Sequence, residues 1–248
     1  MTPERHPLDN AVWAALTGPH RALAEGRGQA RRYAPDVSVF SAVVDDTAAA
    51  WDDLASLTGS GGTAVLFRPP PIPLPDGWTR EYSGDGRQMV LDGQLARPPQ
   101  PEGRVDGQEV SLRPLGPDDV PAMTTLVRLT EPGPFRPRTV DLGGFVGVFH
   151  GDELVAMAGQ RLRPPGWCEV SAVCTHPDAR RRGYAAFVTA HVADVIRARG
   201  EVPFLHLAAS NEIARAVYER LGFRLRRPVS LVVVRPPADD EQTVRGTR

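Results

Sequence analysis

The stretch that most restricts this chain is Gly166 to Ala185, GWCEVSAVCTHPDARRRGYA. A β-rich apolar run, Trp167 to Thr175, meets a turn at His176, Pro177 and Asp178, and a basic, glycine-containing segment then opens a helix. A helix start presents backbone N–H groups without intrahelical partners, and the helix dipole adds partial positive charge. A strand-turn-helix of this kind is built to hold an anion.

Composition narrows the setting. In 248 residues, 41% are hydrophobic and 24% charged, with a formal net charge of −1, so two soluble globular domains are expected. There is no basic field to draw nucleic acid or an anionic membrane, and the charge balance favours a small substrate. No apolar run approaches the roughly 20 residues of a membrane span, and MTPERHPLDN lacks the apolar core of a signal peptide, so a cytoplasmic protein is expected. The basic residues are all arginine, which reads as codon bias before phosphate recognition. Cys168 and Cys174 share one strand, roughly 20 Å apart at about 3.3 Å per residue, too far to bridge. Both read as small hydrophobes.

Periodicity and breakers give the order of elements. A short helix is expected over 11–16, a strand over 37–44, a helix carrying Trp51, Leu54 and Leu57, and a strand over 64–68. RPPPIPLPDGW at 68–78 is a loop with polyproline character, and 88–91 can form one more strand. RPPQPEGRVDG at 97–107 has the composition of a boundary. The expected division is an N-terminal αβ domain over 1–100, a second domain over 108–236, and a disordered polar tail over 237–248.

Within the second part, a strand at 110–113 precedes a helix opened by Pro117 and carrying Val120, Met123, Leu126 and Val127. TEPGPFRPR at 130–138 ends it in an irregular loop, either of the kind that lines a cleft or a plain connection from the helix. Strands at 145–149 and 154–162 pair through a Gly151-Asp152 turn. A helix over 183–199 is expected to turn Phe187, Val188, Val192, Val195 and Ile196 inward, ending at Gly200. A strand at 203–208 leads to a helix over 212–221, capped by Ser210-Asn211 and closed by Gly222. There, Ile213, Val217 and Leu221 read as the core ridge, leaving Asn211, Ala214 and Tyr218 to face a cleft. The last strand is expected over 230–235.

Two spaced motifs carry a resemblance. Arg180, Gly183 and Ala185 stand as R-x-x-G-x-A, and NEIARAVYERLGF at 211–223 supplies N-x-x-A-x-x-x-Y followed by G-F. In this order they resemble the GCN5-related N-acetyltransferases (GNAT), including the FR47-like branch, over about residues 108–235. The resemblance implies an α/β (α+β) fold, a mixed, mainly antiparallel sheet flanked by helices, with acetyl-CoA as co-substrate. It implies a diphosphate cradle at Arg180, Arg181, Arg182, Gly183, Tyr184 and Ala185. Backbone of Val173, Cys174 and Thr175 would align the pantetheine like an added strand, and Asn211 would contact the cofactor besides capping its helix. Tyr218 is the implied acid, neutral at pH 7.

Glu169 occupies the motif strand where histone-type members carry their base, and burial in an apolar strand is expected to raise its pKa. Its alternative is an ion pair with Arg161 or Arg163. His176, His191 and His206 each stand alone and read as structural, and no metal site is expected. The function implied is acetyl transfer to a primary amine of a small molecule or peptide by direct attack in a ternary complex, in a monomer or homodimer. The other reading is a non-catalytic acyl-CoA-binding regulator. For the N-terminal part the alternatives are a degenerate copy of the same fold or a cover over the acceptor site.

Overall fold

The computed structural model describes residues 6–101, 103–105 and 107–238, so most of the tail expected to be disordered lies outside the described residues. In chain order the elements are α1 (Ala11–Leu16), β1 (Ala24–Arg27), β2 (Ala30–Tyr33), β3 (Ser41–Val43), α2 (Ala48–Thr58), β4 (Ala64–Arg68) and β5 (Thr79–Val90). They continue with β6 (Arg104–Val105), β7 (Gln108–Leu115), α3 (Val120–Thr130), β8 (Phe145–His150), β9 (Glu153–Gln160) and β10 (Trp167–Thr175). The chain closes with α4 (Tyr184–Ala198), β11 (Val202–Ala208), α5 (Glu212–Leu221) and β12 (Arg224–Arg235).

Nine strands form one sheet in the order β4-β12-β5-β11-β10-β9-β8-β7-β6, and β1-β2-β3 form a second, antiparallel one. Among the described residues, β10 and β11 are the only neighbouring strands of the large sheet that run parallel. This is the mixed, mainly antiparallel sheet the motifs imply. The halves on either side of 97–107 share it, because β5 lies between β11 and β12 and β4 extends its edge. Only the last residues of β5 are apolar and buried, at Met89 and Val90, and its first half is exposed and polar. That half is held by backbone pairing with β12 from Thr79↔Arg235 to Val90↔Arg224. The hairpin β1-β2 is likewise a strand pair in a segment without apolar alternation.

One face of the sheet carries α4 and α5. Val188, Val192, Ala193 and Ile196 of α4 and Tyr218 and Leu221 of α5 join Cys168, Val170, Leu205 and Leu207 in one core. On the other face α3 lies over β9 and β10, packing Met123 and Leu126 on Phe145, Met157 and Cys174. Beside it the N-terminal half presses Leu8, Val12, Tyr33 and Phe40 onto Val90, Leu162 and Phe204. The proline-rich loop after β4 buries Ile72 in a further cluster with Trp51, Leu54 and Val232.

Two helix faces differ from expectation. On α5 the inward stripe is Ala214, Val217, Tyr218 and Leu221, while Ile213 is 85% exposed. A stripe at i, i+3, i+4 and i+7 covers one broad helix face, and position 213 falls outside it. Tyr218 is thus part of the packed face rather than of a separate cleft-facing ridge. On α4, Val195 is exposed for the same reason, next to the buried Ile196. No helix among the described residues is long and apolar enough to cross a membrane.

Candidate active site

The site begins where two strands part. Parallel pairing of β10 with β11 is confined to Trp167–Glu169 against Val202–Phe204. Beyond it, β10 stays with β9 as far as Thr175↔Ala156, and β11 stays with β5 as far as Ala208↔Gly86. A wedge opens between them, and backbone groups on the inner edge of β10 have no strand to pair with. The parting coincides with a bulge: the β9 register shifts between Ser171 and Cys174, and Ala172 adopts φ 52°. A bulge re-aims the strand and its side chains. Val173 consequently packs toward the α4 side while Ala172 and Cys174 face α3.

At the open end of the wedge stands the start of α4. Arg181 and Gly183 have φ 64° and 82°, with Gly183 as the N-cap and no side chain capping the helix. Among the described residues no acceptor pairs with the amides of residues 181–186; the first bond of the helix is from the Phe187 amide to the Gly183 carbonyl at 3.1 Å. A Cβ at Gly183 would meet nothing within 4 Å, so the glycine serves the left-handed turn and leaves the space above the amides free. Arg180, Arg181 and Arg182 are all exposed around it. The residues present therefore fit a diphosphate: a row of free donors, positive dipole and flanking guanidiniums. Tyr184 contributes only its amide, because its ring is buried and its hydroxyl bonds His150 Nε2 at 2.8 Å. Ala185 lies partly buried in the first turn. A cavity lined by His150, Val155, His176, Asp178 and Arg182 adjoins this turn.

α5 closes the far side of the wedge. Asn211 caps it, its Oδ1 accepting from the Ala214 amide at 3.0 Å. Tyr218 packs edge-on against Phe223, with 6.1 Å between ring centroids. Burial, and then the nearby Cys174, push its hydroxyl up to about 12. Among the described residues that hydroxyl has no hydrogen-bond partner.

Glu169 behaves opposite to expectation. It is fully buried, but its carboxylate receives Arg161 Nε at 2.8 Å on Oε2 and Nη2 at 2.6 Å on Oε1. The Leu162 amide adds a bond at 3.2 Å, and His206 Nδ1 lies 2.7 Å from Oε1. Desolvation alone would raise the group, as expected from the sequence; Arg161 and then His206 outweigh it and hold the carboxyl down at about 2. Of the two arginines considered, Arg161 is the partner, and Arg163 pairs with Glu201. The sequence named Arg161 only as a possible ion-pair partner and not as a site residue; it follows β9 directly, and the continuing antiparallel pairing puts it opposite Glu169, the Arg161 amide bonding the Glu169 carbonyl at 3.1 Å.

Arg161, but not Glu169, borders a small cavity on the α3 face, lined also by Pro132, Phe135, Phe145, Ser171 and Ala172. The TEPGPF loop contributes Pro132, Gly133, Pro134 and Phe135 to the lining of this small cavity. Threonine 139 fastens the loop's far end to the N-terminal half, donating from Oγ1 to the Val37 carbonyl at 3.0 Å. His206 is buried between Phe67 and Phe204 rings, His176 caps the turn before Ala179, and His191 is exposed on α4.

Both cysteines are buried, and burial pushes Cys168 up to about 12 and Cys174 up to about 11. Only the thiolate is an effective nucleophile. The folded protein should therefore consume no thiol reagent over minutes at pH 8, and both residues should react once it is unfolded in guanidinium. Rapid labelling of Cys174 in the native state would contradict this.

Comparisons with known proteins agree with the fold and motifs. A family model described as FR47-like protein matches residues 145–232. A solved protein from Novosphingobium aromaticivorans, assigned to the GNAT family of acetyltransferases, is 38% identical, with 94% of this chain and 100% of that one covered at a TM-score of 0.82. A GCN5-related N-acetyltransferase from Kribbella flavida shares the fold at 18% identity, with 97% and 99% covered and a TM-score of 0.63. No curated protein matches the sequence. The mixed sheet with its flanking helices is the GNAT fold. The chain belongs to the GCN5-related N-acetyltransferase family, and membership supports an acyltransferase function.

Proposed function

We propose that the protein transfers the acetyl group of acetyl-CoA to a primary amine of a small molecule or peptide, by direct attack in a ternary complex. The observation that carries this is the row of acceptor-free amides at residues 181–186, set at the mouth of the β10/β11 wedge. Those amides with Arg180, Arg181 and Arg182 would hold the diphosphate, and the inner edge of Val173, Cys174 and Thr175 would pair with the pantetheine arm. Acetyl-CoA supplies the activated thioester. Tyr218 stays protonated and can donate to the sulfur as negative charge develops there. Asn211 keeps the α5 start in place beside the wedge. The raised thiols argue against a cysteine-bound intermediate.

Glu169 is committed to Arg161 and holds its proton weakly, so its proposed part is to position Arg161 rather than to deprotonate the amine. The three-stranded sheet and α1, packed on the α3 face, act as a cover over the acceptor side. One observation favours a second reading, acyl-CoA binding without turnover: the carboxylate on the motif strand is locked in an ion pair.

Calorimetry with acetyl-CoA, joined to thiol release across a panel of amines, separates the two. Binding at micromolar concentrations with amine-dependent release is expected. Binding without release from any amine leaves the regulator, and absence of CoA binding defeats both.

A further inference from the structure

The guanidinium of Arg161 is only half used. Nε and one hydrogen of Nη2 face Glu169 side-on, whereas Nη1 has no hydrogen-bond partner among the described residues. A guanidinium has a second two-pronged edge, Nη1 with the other hydrogen of Nη2, and that edge matches a carboxylate. Arg161 is 13% exposed, its ring-stacking side lies over Phe40 at 5.1 Å, and its remaining surface borders the cavity of Phe135, Phe145, Ser171 and Ala172. The fork is also stiff. Glu169 is held in turn by the Leu162 amide and by His206, whose Nε2 lies 3.0 Å from Gln88 Nε2, and Gln88 is anchored to the Leu8 carbonyl at 3.0 Å. An arginine fixed this firmly loses little conformational freedom when it takes a ligand.

We propose that Arg161 is a specificity-determining residue that binds the carboxylate of the acceptor, so that the acceptor is an amine carrying its own carboxylate, of which an amino acid is the simplest form. Phe135 and Phe145, edge to face at 6.1 Å, wall a small cavity of about 10 Å³, so the acceptor's carboxylate end is the part that meets Arg161 and its side chain stays outside; Ser171 with Ala172 places the site at the β10 bulge beside the wedge. This rests on the acetyltransferase reading for its chemistry but not for its binding test. A charge-assisted two-pronged bond contributes about 10- to 100-fold to discrimination.

Two arms decide it. With acetyl-CoA, L-phenylalanine and L-leucine should show kcat/KM at least about 10-fold above phenethylamine and isoamylamine. Arg161→Lys keeps the charge beside Glu169 but loses the fork; it should lower the preference for the amino acids over the plain amines, read as the ratio of their kcat/KM values, by about 10-fold or more. Equal rates for both acceptor classes, or an Arg161→Lys loss shared by both, would overturn the proposal. The second arm needs neither turnover nor a variant: wild-type protein saturated with CoA is titrated with N-acetyl-L-phenylalanine and with N-acetylphenethylamine. Tighter binding of the carboxylate by about 10-fold or more is expected, and equal affinities defeat the assignment. Failure to bind CoA or to release thiol with any amine defeats the acetyltransferase reading instead.

Discussion

Replacing Tyr218 with phenylalanine is expected to lower kcat by about 100-fold or more while changing acetyl-CoA affinity by less than about threefold. The hydroxyl is the only atom removed, and it has no protein hydrogen bond to lose among the described residues. The ring keeps its place against Phe223 and Leu221, so stability should move by less than about 1 kcal/mol. What is lost is the proposed donor to the leaving sulfur, held protonated by burial throughout the usable pH range. Such a donor matters only when charge has developed on the leaving sulfur, which is why the effect belongs to kcat rather than to binding. Single-turnover thiol release beside calorimetry measures both quantities, and an unchanged rate would remove Tyr218 from the chemistry.

The second large effect is on stability. Glu169→Leu should cost about 3–5 kcal/mol, because it strips the counter-charge from an arginine that is almost wholly buried. In a chain of this size that corresponds to a Tm lower by roughly 10 °C. Pairing it with Arg161→Met should restore much of the loss, since a buried ion pair can be exchanged for apolar groups of similar volume at little cost. Non-recovery in the double variant would show that Glu169 is held for another reason. The pH dependence has a definite sign. The Glu169 carboxyl sits lower folded than unfolded, so its contribution is complete above the ordinary value of 4.5 and disappears only as pH falls toward about 2. His20 and His206 are lowered from 6.5, His20 to about 4, so each favours the unfolded chain as it protonates. Tm should therefore begin to fall below pH 6.5, before the carboxylate is affected.

The motifs were legible where backbone geometry is written into residue type. Gly183 marks a left-handed turn, Asn211 a cap and Gly222 a helix end, and each stands where its spacing puts it. Glu169 was legible as a position but not as a chemical group. Arg161 was in view as one of two possible partners, but that it outweighs burial depends also on His206, which the pairing of β10 with β11 and β5 brings beside the carboxylate and no local pattern reports. The outer half of β5 offered no signal because its pairing is through the backbone and its side chains face water. Ile213 was placed inward with Val217 and Leu221, which do pack, but the stripe is centred further round the helix, through Ala214 and Tyr218, and leaves position 213 outside.

The insertion of β5 also sets an order of events. Strands β11 and β12, which flank it, are made more than a hundred residues later, so during synthesis β5 waits with both edges unpaired. Contacts so distant along the chain carry a large loop-closure cost, and such topologies fold slowly and expose strand edges meanwhile. The polar, exposed first half of β5, with Arg80, Glu81 and Asp85, keeps that waiting strand soluble. Residues that carry no part of the catalytic site would thus protect its assembly, and the half of the chain that bears the motifs acquires a continuous sheet only when the earlier half is there to be clasped.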